Sequence, residues 1–155
     1  MPDKKNAKPV KPGTLKIKLV GMNARFPHSC PDLFYLRNEL EKHIPGCELE
    51  MYHYTINDPY YVTLQRLVEG KPDYLFFSAL IWNSELVENL IGDLLAMGES
   101  WRIVVGGPQA KVLGEVFAGE GRVSVFDGSI ETADDSFYRD IVDGSPAPFY
   151  SFPFF

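Results

Sequence analysis

The order in which strand-like and helix-like segments follow one another constrains this chain most. Short runs rich in apolar and β-branched residues, such as 15–22, 73–81 and 101–107, alternate with stretches whose apolar residues recur at helical spacing. Turn sequences containing Pro, Gly or Asn-Asp separate many of these segments. The alternation predicts five strands, each followed by one helix.

This order predicts a parallel sheet, because parallel neighbours need long crossover connections, and such connections are right-handed. The run 73–81 is almost wholly apolar, as is typical of a strand covered on both faces. We therefore expect a flavodoxin-like (Rossmann-like) three-layer α/β/α fold with a five-stranded parallel sheet in the order 2-1-3-4-5. Ligands of such sheets bind beyond the carboxyl ends of the strands, which here means four loops: 23–31, 78–84, 106–110 and 127–131.

A chain of 155 residues accommodates one domain of ordinary size. The sequence predicts a disordered Lys-rich tail over 1–13, a folded domain over 14–143, and a Pro- and aromatic-rich linker, or the start of a further domain, over 144–155. Two cysteines, Cys30 and Cys47, can build neither a disulfide framework nor a four-cysteine zinc site, so we expect a cytoplasmic protein. We expect no signal peptide, and no membrane span, since no apolar run approaches about 20 residues.

The charge distribution argues against nucleic acid as a partner. The whole chain has a formal net charge of -6. Four of its 15 basic residues but only one of its 21 acidic residues fall within 1–13, so the rest of the chain carries -9. A surface this acidic repels phosphate backbones.

The chain lacks the residues that several functions common to this fold require. A receiver domain needs paired acids after strand 1, an Asp ending strand 3 and a Lys ending strand 5, where this chain has Met22-Asn23, Ser78-Ala79 and Asp127-Gly128. Neither G-x-G-x-x-G nor G-x-x-x-x-G-K-[ST] is present, and a flavin phosphate loop after strand 1 would have one hydroxyl, Ser29. His28 and Cys30 are too close in sequence to form a nucleophile–base pair. No catalytic residue and no metal ligand is predicted.

Three consecutive strands nevertheless end in residues suited to a bulky ligand. Strand 3 ends at the hydroxyl of Ser78, strand 4 at Gly106-Gly107, and strand 5 at a turn containing Gly128. Glycines remove side chains and permit unusual backbone angles, so a ligand can pass close to the backbone. Taken alone each feature is explained by a turn, but all three lie on one predicted rim.

Ser78-x-Leu80 at the end of strand 3 and Gly106-Gly107 at the end of strand 4 resemble the motifs of the cobalamin-binding domain. In that family the nucleotide tail of the corrin enters a channel beside the sheet. The resemblance implies that Ser78 hydrogen-bonds the benzimidazole of the tail and that Leu80 lines the channel. It also implies that the two glycines let the tail pass.

The first loop departs from that family, which carries D-x-H-x-x-G with a histidine as the lower cobalt ligand. Here the loop begins N-A-R-F-P-H-S at Asn23. An R-x-x-H-S-like first loop, an S-x-x-x-W-N strand end, G-G-P and a glycine–acid turn resemble the N-terminal domains of cobalamin-dependent radical S-adenosylmethionine enzymes. In the last motif Ser129-Ile130 replaces the usual acid–glycine pair. The residues that the resemblance places near the corrin or a neighbouring domain are Asn23, Arg25, Phe26, His28, Ser29, Trp82, Asn83, Pro108, Gly128 and Glu131.

The resemblance implies a module that holds a base-off corrin within a larger methyltransferase-type protein. The 4Fe-4S cluster and S-adenosylmethionine would belong to a following barrel with a C-x-x-x-C-x-x-C motif, which two cysteines cannot supply here. This chain alone would bind and orient the cofactor. The alternative hypothesis is a stand-alone flavodoxin-like regulatory or protein-interaction domain without corrin, in which the glycines form turns and Trp82 with Phe26 forms a partner-binding patch.

Overall fold

The structure is a computed structural model that describes residues 15–23, 31–55, 57–98 and 100–154. Strands and helices alternate along the chain, as the apolar periodicity predicts. The elements are β1 (Lys16–Asn23), α1 (Pro31–His43), β2 (Glu48–Thr55), α2 (Tyr60–Val68), β3 (Tyr74–Ser78), α3 (Ser84–Met97), β4 (Arg102–Gly106), α4 (Ala110–Val116), β5 (Val123–Asp127), a short 3-10 helix (Ile130–Thr132), α5 (Asp135–Asp143) and β6 (Phe149–Ser151).

The six strands form one parallel sheet in the order β2-β1-β3-β4-β5-β6. All five residues of β3 are buried, because this strand has a hydrogen-bonded neighbour on each side and helices over both faces. Phe76 in β3 stands beside Leu19 of β1 and Val104 of β4, so apolar side chains run across the strands in rows.

Two apolar clusters, one on each face of the sheet, make the three-layer α/β/α fold that the sequence predicts. On one face, α2, α3 and α4 insert residues such as Leu67, Leu90 and Leu113. On the other face, α1 and α5 insert Leu40 and Phe137. Side chains alternate between the faces along each strand, so every central strand contributes to both clusters.

The predicted number of strands is wrong, because the sheet has six rather than five. The extra strand, β6, lies within 144–155, which the sequence assigns to a linker or the start of a further domain. Only three residues pair with β5, and prolines at 146, 148 and 153 lie around them, so the local pattern does not resemble a strand. What holds β6 is the buried ring of Tyr150, which packs edge-to-face on Phe137.

Polar contacts also anchor β6 to the domain. The hydroxyl of Tyr150 donates to Oδ2 of Asp140 in α5 over 2.6 Å and accepts the backbone N–H of Ala147 over 2.8 Å. Burial, together with the hydrogen bond to Asp140, raises the pKa of Tyr150 to about 12. The phenol therefore stays protonated, and able to donate, at neutral pH.

Within the described ranges, no helix is long and apolar enough to cross a membrane.

We expect Tyr150→Phe to lower the free energy of unfolding by about 1–2 kcal/mol, because the ring remains while two hydrogen-bond partners lose theirs. Urea unfolding followed by circular dichroism measures this. Tyr35→Phe, at an exposed position on α1, is the matched control and should change stability by less than about 0.5 kcal/mol. Equal stability of the two variants would show that the Tyr150 hydroxyl does not anchor β6.

Candidate functional site

The carboxyl ends of β3, β4 and β5 lie side by side and bring three of the four predicted loops to one edge of the sheet. Ser78 is in register with Gly106. Beyond the register pair, the backbone N–H of Ala79 donates to the carbonyl of Gly106 over 2.8 Å, and that of Gln109 donates to the carbonyl of Ala79 over 3.0 Å. These bonds hold the ends of β3 and β4 together at the rim.

A cleft of about 610 Å³ opens at this edge, on the face of the sheet covered by α1 and α5. That volume lies within the range of about 300–1,000 Å³ that small-molecule sites occupy. Its floor is apolar and aromatic: Leu33, Phe76, Val104, Phe126 and Phe137. Its rim contains six of the predicted site residues: Ser78, Gly106, Gly107, Pro108, Gly128 and Glu131.

Ser78 lines this cleft and carries a hydroxyl. The residue is 8% exposed, and the alternation along β3 puts its side chain on the same face as Phe76. Its carbonyl accepts a hydrogen bond from Asn83, but its hydroxyl makes no hydrogen bond with any residue that the structure describes. A hydroxyl that lines a cleft and has no partner among the described residues is suited to bind a polar atom of a ligand.

The paired glycines, which the sequence treats alike, have different roles. A Cβ on Gly106 would meet no atom closer than the carbonyl oxygen of Phe126 at 3.7 Å, which is an ordinary contact. Gly107 has a φ of +97°, and a Cβ there would lie 2.7 Å from the carbonyl oxygen of Ala79. The fold therefore requires glycine at 107, whereas Gly106 leaves room on the wall of the cleft.

Gly128 is also required by the fold, because the C-terminal segment packs directly on it. Its φ is +133°, and a Cβ would overlap the carbonyl group of Phe152. The N–H of Phe152 donates to the carbonyl of Asp127 over 2.8 Å, and the N–H of Ser129 donates to that of Pro153 over 3.2 Å. This segment brings Phe154 to the cleft wall.

The loop between β3 and α3 contains three predicted site residues that do not line the cleft: Leu80, Trp82 and Asn83. Asn83 is 1% exposed, so its side chain is not free to face a ligand or a partner. Its Oδ1 accepts the N–H of Leu80 over 2.7 Å, and its Nδ2 donates to the carbonyl of Met22 over 3.0 Å. The side chain of Asn83 thus links this loop to the end of β1 through hydrogen bonds. Ile81 and Trp82 in the same loop are exposed.

The remaining predicted residues belong to the first loop. Arg25, Phe26, His28 and Ser29 lie outside the described residues. Asn23 is the last residue of β1, where its backbone is in register with Thr55 of β2. Their roles stay predictions.

Three further residues of the cleft, Lys111, Asp127 and Phe154, are not among the predicted site residues. Lys111 in α4 and Asp127 at the end of β5 stand on the rim, with Nζ and Oδ2 3.7 Å apart. Asp127 lies in a loop that the sequence indicates, but Lys111 follows the predicted loop 106–110 by one residue. The run of aromatic residues near the C-terminus was the available signal for Phe154.

In the described part of the chain, no group of three or more His, Cys, Asp or Glu side chains could hold a metal ion. The cleft is instead suited to a molecule with a flat apolar part and a few polar atoms, because its floor is aromatic and its polar groups lie on the rim.

Comparison with known proteins supports the fold. No family model and no curated protein matches the sequence. Among solved structures, the chain is similar to a cobalamin-binding protein from Desulfitobacterium hafniense DCB-2, with a TM-score of 0.50 and 16% sequence identity. The match covers 67% of this chain and 50% of that chain, so this chain corresponds to about half of that protein. At this identity the likeness shows a shared fold.

We expect Gly107→Ala to lower the free energy of unfolding by about 2–4 kcal/mol, because Ala must adopt a left-handed backbone angle and displace Ala79. Gly106→Ala is the matched control and should leave stability within about 1 kcal/mol of the parent. Thermal and urea unfolding measure both. Similar losses in the two variants would contradict the assignment of different roles.

We expect Asn83→Ala to cost about 2–3 kcal/mol of stability, since it leaves the N–H of Leu80 and the carbonyl of Met22 without their partner. Asn38→Ala, on the exposed face of α1, serves as the control. Hydrogen exchange should show faster exchange at Leu80 in the Asn83 variant alone. An unchanged exchange rate at Leu80 would show that the hydrogen bonds of Asn83 do not hold this loop on β1.

Proposed function

We propose that this chain is a cobalamin-binding module that holds a base-off corrin at the carboxyl ends of its parallel strands. The single observation that carries the proposal is the cleft beside the sheet. It has an aromatic floor, and its lining includes the open position at Gly106 and the hydroxyl of Ser78, which has no partner among the described residues. They are two of the four positions, Ser78, Leu80, Gly106 and Gly107, at which the motif resemblance puts the nucleotide tail; Leu80 does not line the cleft. The fold shared with a cobalamin-binding protein supports the proposal.

The residues of the cleft fit the tail of the cofactor. The aromatic floor matches a benzimidazole, which is flat and mostly apolar. Ser78 offers a hydroxyl to the ring nitrogen of the base, and Gly106 leaves the wall open for the tail. When bound, cobalamin would supply cobalt-carried methyl transfer or related radical chemistry, while this chain binds and orients the cofactor. We assign no catalytic residue to the chain.

We further propose that the module works beside a radical S-adenosylmethionine barrel, in a cytoplasmic protein. The support is the set of motifs in the sequence: Arg25 to Ser29, the S-x-x-x-W-N strand end, Gly-Gly-Pro and the turn from Gly128 to Glu131. The 4Fe-4S cluster and S-adenosylmethionine would be bound by that barrel. Exposed Ile81 and Trp82 lie in a loop at the carboxyl end of β3, where a neighbouring domain could cover them.

The same exposed pair favours a second candidate function, a regulatory or protein-interaction domain without corrin. Ile81 is 78% exposed and Trp82 48%, and adjacent apolar side chains on a surface are typical of contact sites. Under this hypothesis Gly107 and Gly128 serve the fold alone, which their close backbone contacts allow. The two functions differ in whether the chain retains cobalamin.

We expect the purified protein to retain methylcobalamin through desalting, with the visible spectrum of the base-off form. The reference spectrum is that of the same cofactor in acid, where protonation of the benzimidazole frees it from cobalt. Ser78→Ala should weaken binding by about fivefold, the contribution of one hydrogen bond. Failure of the parent protein to retain the cofactor would contradict the cobalamin function and favour the interaction domain.

Gly106→Leu tests the position of the tail, because its side chain would enter the cleft from the wall. We expect this variant to unfold at the temperature of the parent within a few degrees and to lose cobalamin retention. Gly92→Leu is the matched control, since Gly92 lies on α3, on the opposite face of the sheet, with open space at its Cβ. Retention by the Gly106 variant equal to that of the control would show that the tail does not occupy this cleft.

A further inference from the structure

The described residues at the rim of the cleft carry more negative than positive charge. Among the described residues that line it, Lys111 is the one cation, and two carboxylates, those of Asp127 and Glu131, line the same cleft. An anionic group entering the cleft would be repelled by both carboxylates, and among the described lining residues only Lys111 would attract it. Within the described part of the chain, this lysine is therefore the cation suited to bind an anion.

The fold holds Lys111 at the rim. It is the second residue of α4, which follows the Gly107-Pro108 turn. Its neighbours Ala110 and Leu113 are buried in the core, at 1% exposure each, so the backbone of Lys111 is fixed while its side chain remains 66% exposed. The ammonium group is thus tethered beside the cleft and free to reorient.

The contact between Lys111 and Asp127 is loose. Its 3.7 Å is longer than the about 2.8 Å of a charge-assisted hydrogen bond. An exposed ion pair of this kind contributes little to stability. A better acceptor can therefore replace Asp127 at small cost.

We propose that Lys111 binds the phosphodiester of the cobalamin nucleotide tail, exchanging its contact with Asp127 for a phosphate oxygen. The inference rests on the proposed function. In cobalamin a ribose and one negatively charged phosphodiester join the benzimidazole to the corrin side chain. A base on the aromatic floor therefore leaves the phosphodiester toward the rim, where Lys111 stands. Lys111 is a positioning residue that selects corrinoids carrying the phosphate.

The experiment compares methylcobalamin with methylcobinamide, which lacks both the phosphodiester and the base. At low salt, Lys111→Met should weaken methylcobalamin binding by about five- to tenfold and leave methylcobinamide binding within about twofold. Lys71→Met removes the same charge at the opposite end of β3 and should change neither affinity. Circular dichroism confirms that all variants are folded.

Asp127→Asn should change the affinity for methylcobalamin in the opposite direction. Removing this carboxylate frees Lys111 and lowers the repulsion, so methylcobalamin should bind about two- to threefold more tightly. Both shifts should shrink as salt is raised to about 0.5 M, because screening weakens exposed charge contacts. These opposite shifts carry the test even where methylcobinamide binds too weakly to titrate.

The outcomes separate this inference from the proposed function. Tight binding of methylcobalamin by the parent, with equal affinity in the Lys111 variant, overturns the role of Lys111 and leaves the cobalamin function standing. An equal loss of affinity for methylcobalamin and methylcobinamide in that variant also overturns it, since the loss would then not depend on the phosphodiester. Failure of the parent to bind methylcobalamin overturns both.

Discussion

The burial of β3 on both faces is the constraint on which the rest of the structure depends. Tyr74–Ser78 has no solvent-facing side, so helices must cover both faces and each connection must return across the sheet. The carboxyl ends of β3, β4 and β5 consequently share one edge. At that edge the strands end before the helices that cover them, and the cleft forms on the side of α1 and α5. The position of the site follows from the burial of one strand.

The glycines at this edge differ in function: backbone packing requires two of them, and a third leaves open space in the cleft. Gly107 lies against the backbone of Ala79, and Gly128 against that of Phe152, so the fold alone explains both. Gly106 has room for a side chain, and no backbone angle requires glycine there. Its small size is therefore the feature that a ligand would use. A motif of two glycines thus carries less functional information than its length suggests, because half of it is structural.

The chemistry of the cleft is divided between its floor and its rim. Aromatic and aliphatic side chains of five elements form the floor, and the hydroxyl of Ser78 lies at its edge without a partner among the described residues. Charged groups are confined to the rim, where water can still solvate them. This division suits a ligand with an apolar end buried in the cleft and a charged part near its mouth, as the nucleotide tail of cobalamin has. The proposed functions of Ser78, Gly106 and Lys111 all follow from it.

The sequence by itself determined the alternation of strands and helices, the parallel sheet and the edge at which loops meet. These follow from apolar periodicity, which reports burial through residues close in the chain. Tertiary structure decided what depends on contacts between distant residues. It added β6 to the sheet through the packing of Tyr150 on Phe137, buried Asn83 in hydrogen bonds to Leu80 and Met22, and gave Gly106 and Gly107 different surroundings. Sequence could identify Ser78, the pair Gly106-Gly107 and Gly128 as rim residues, but which of them face open space depends on the packing of chain segments that no local pattern records.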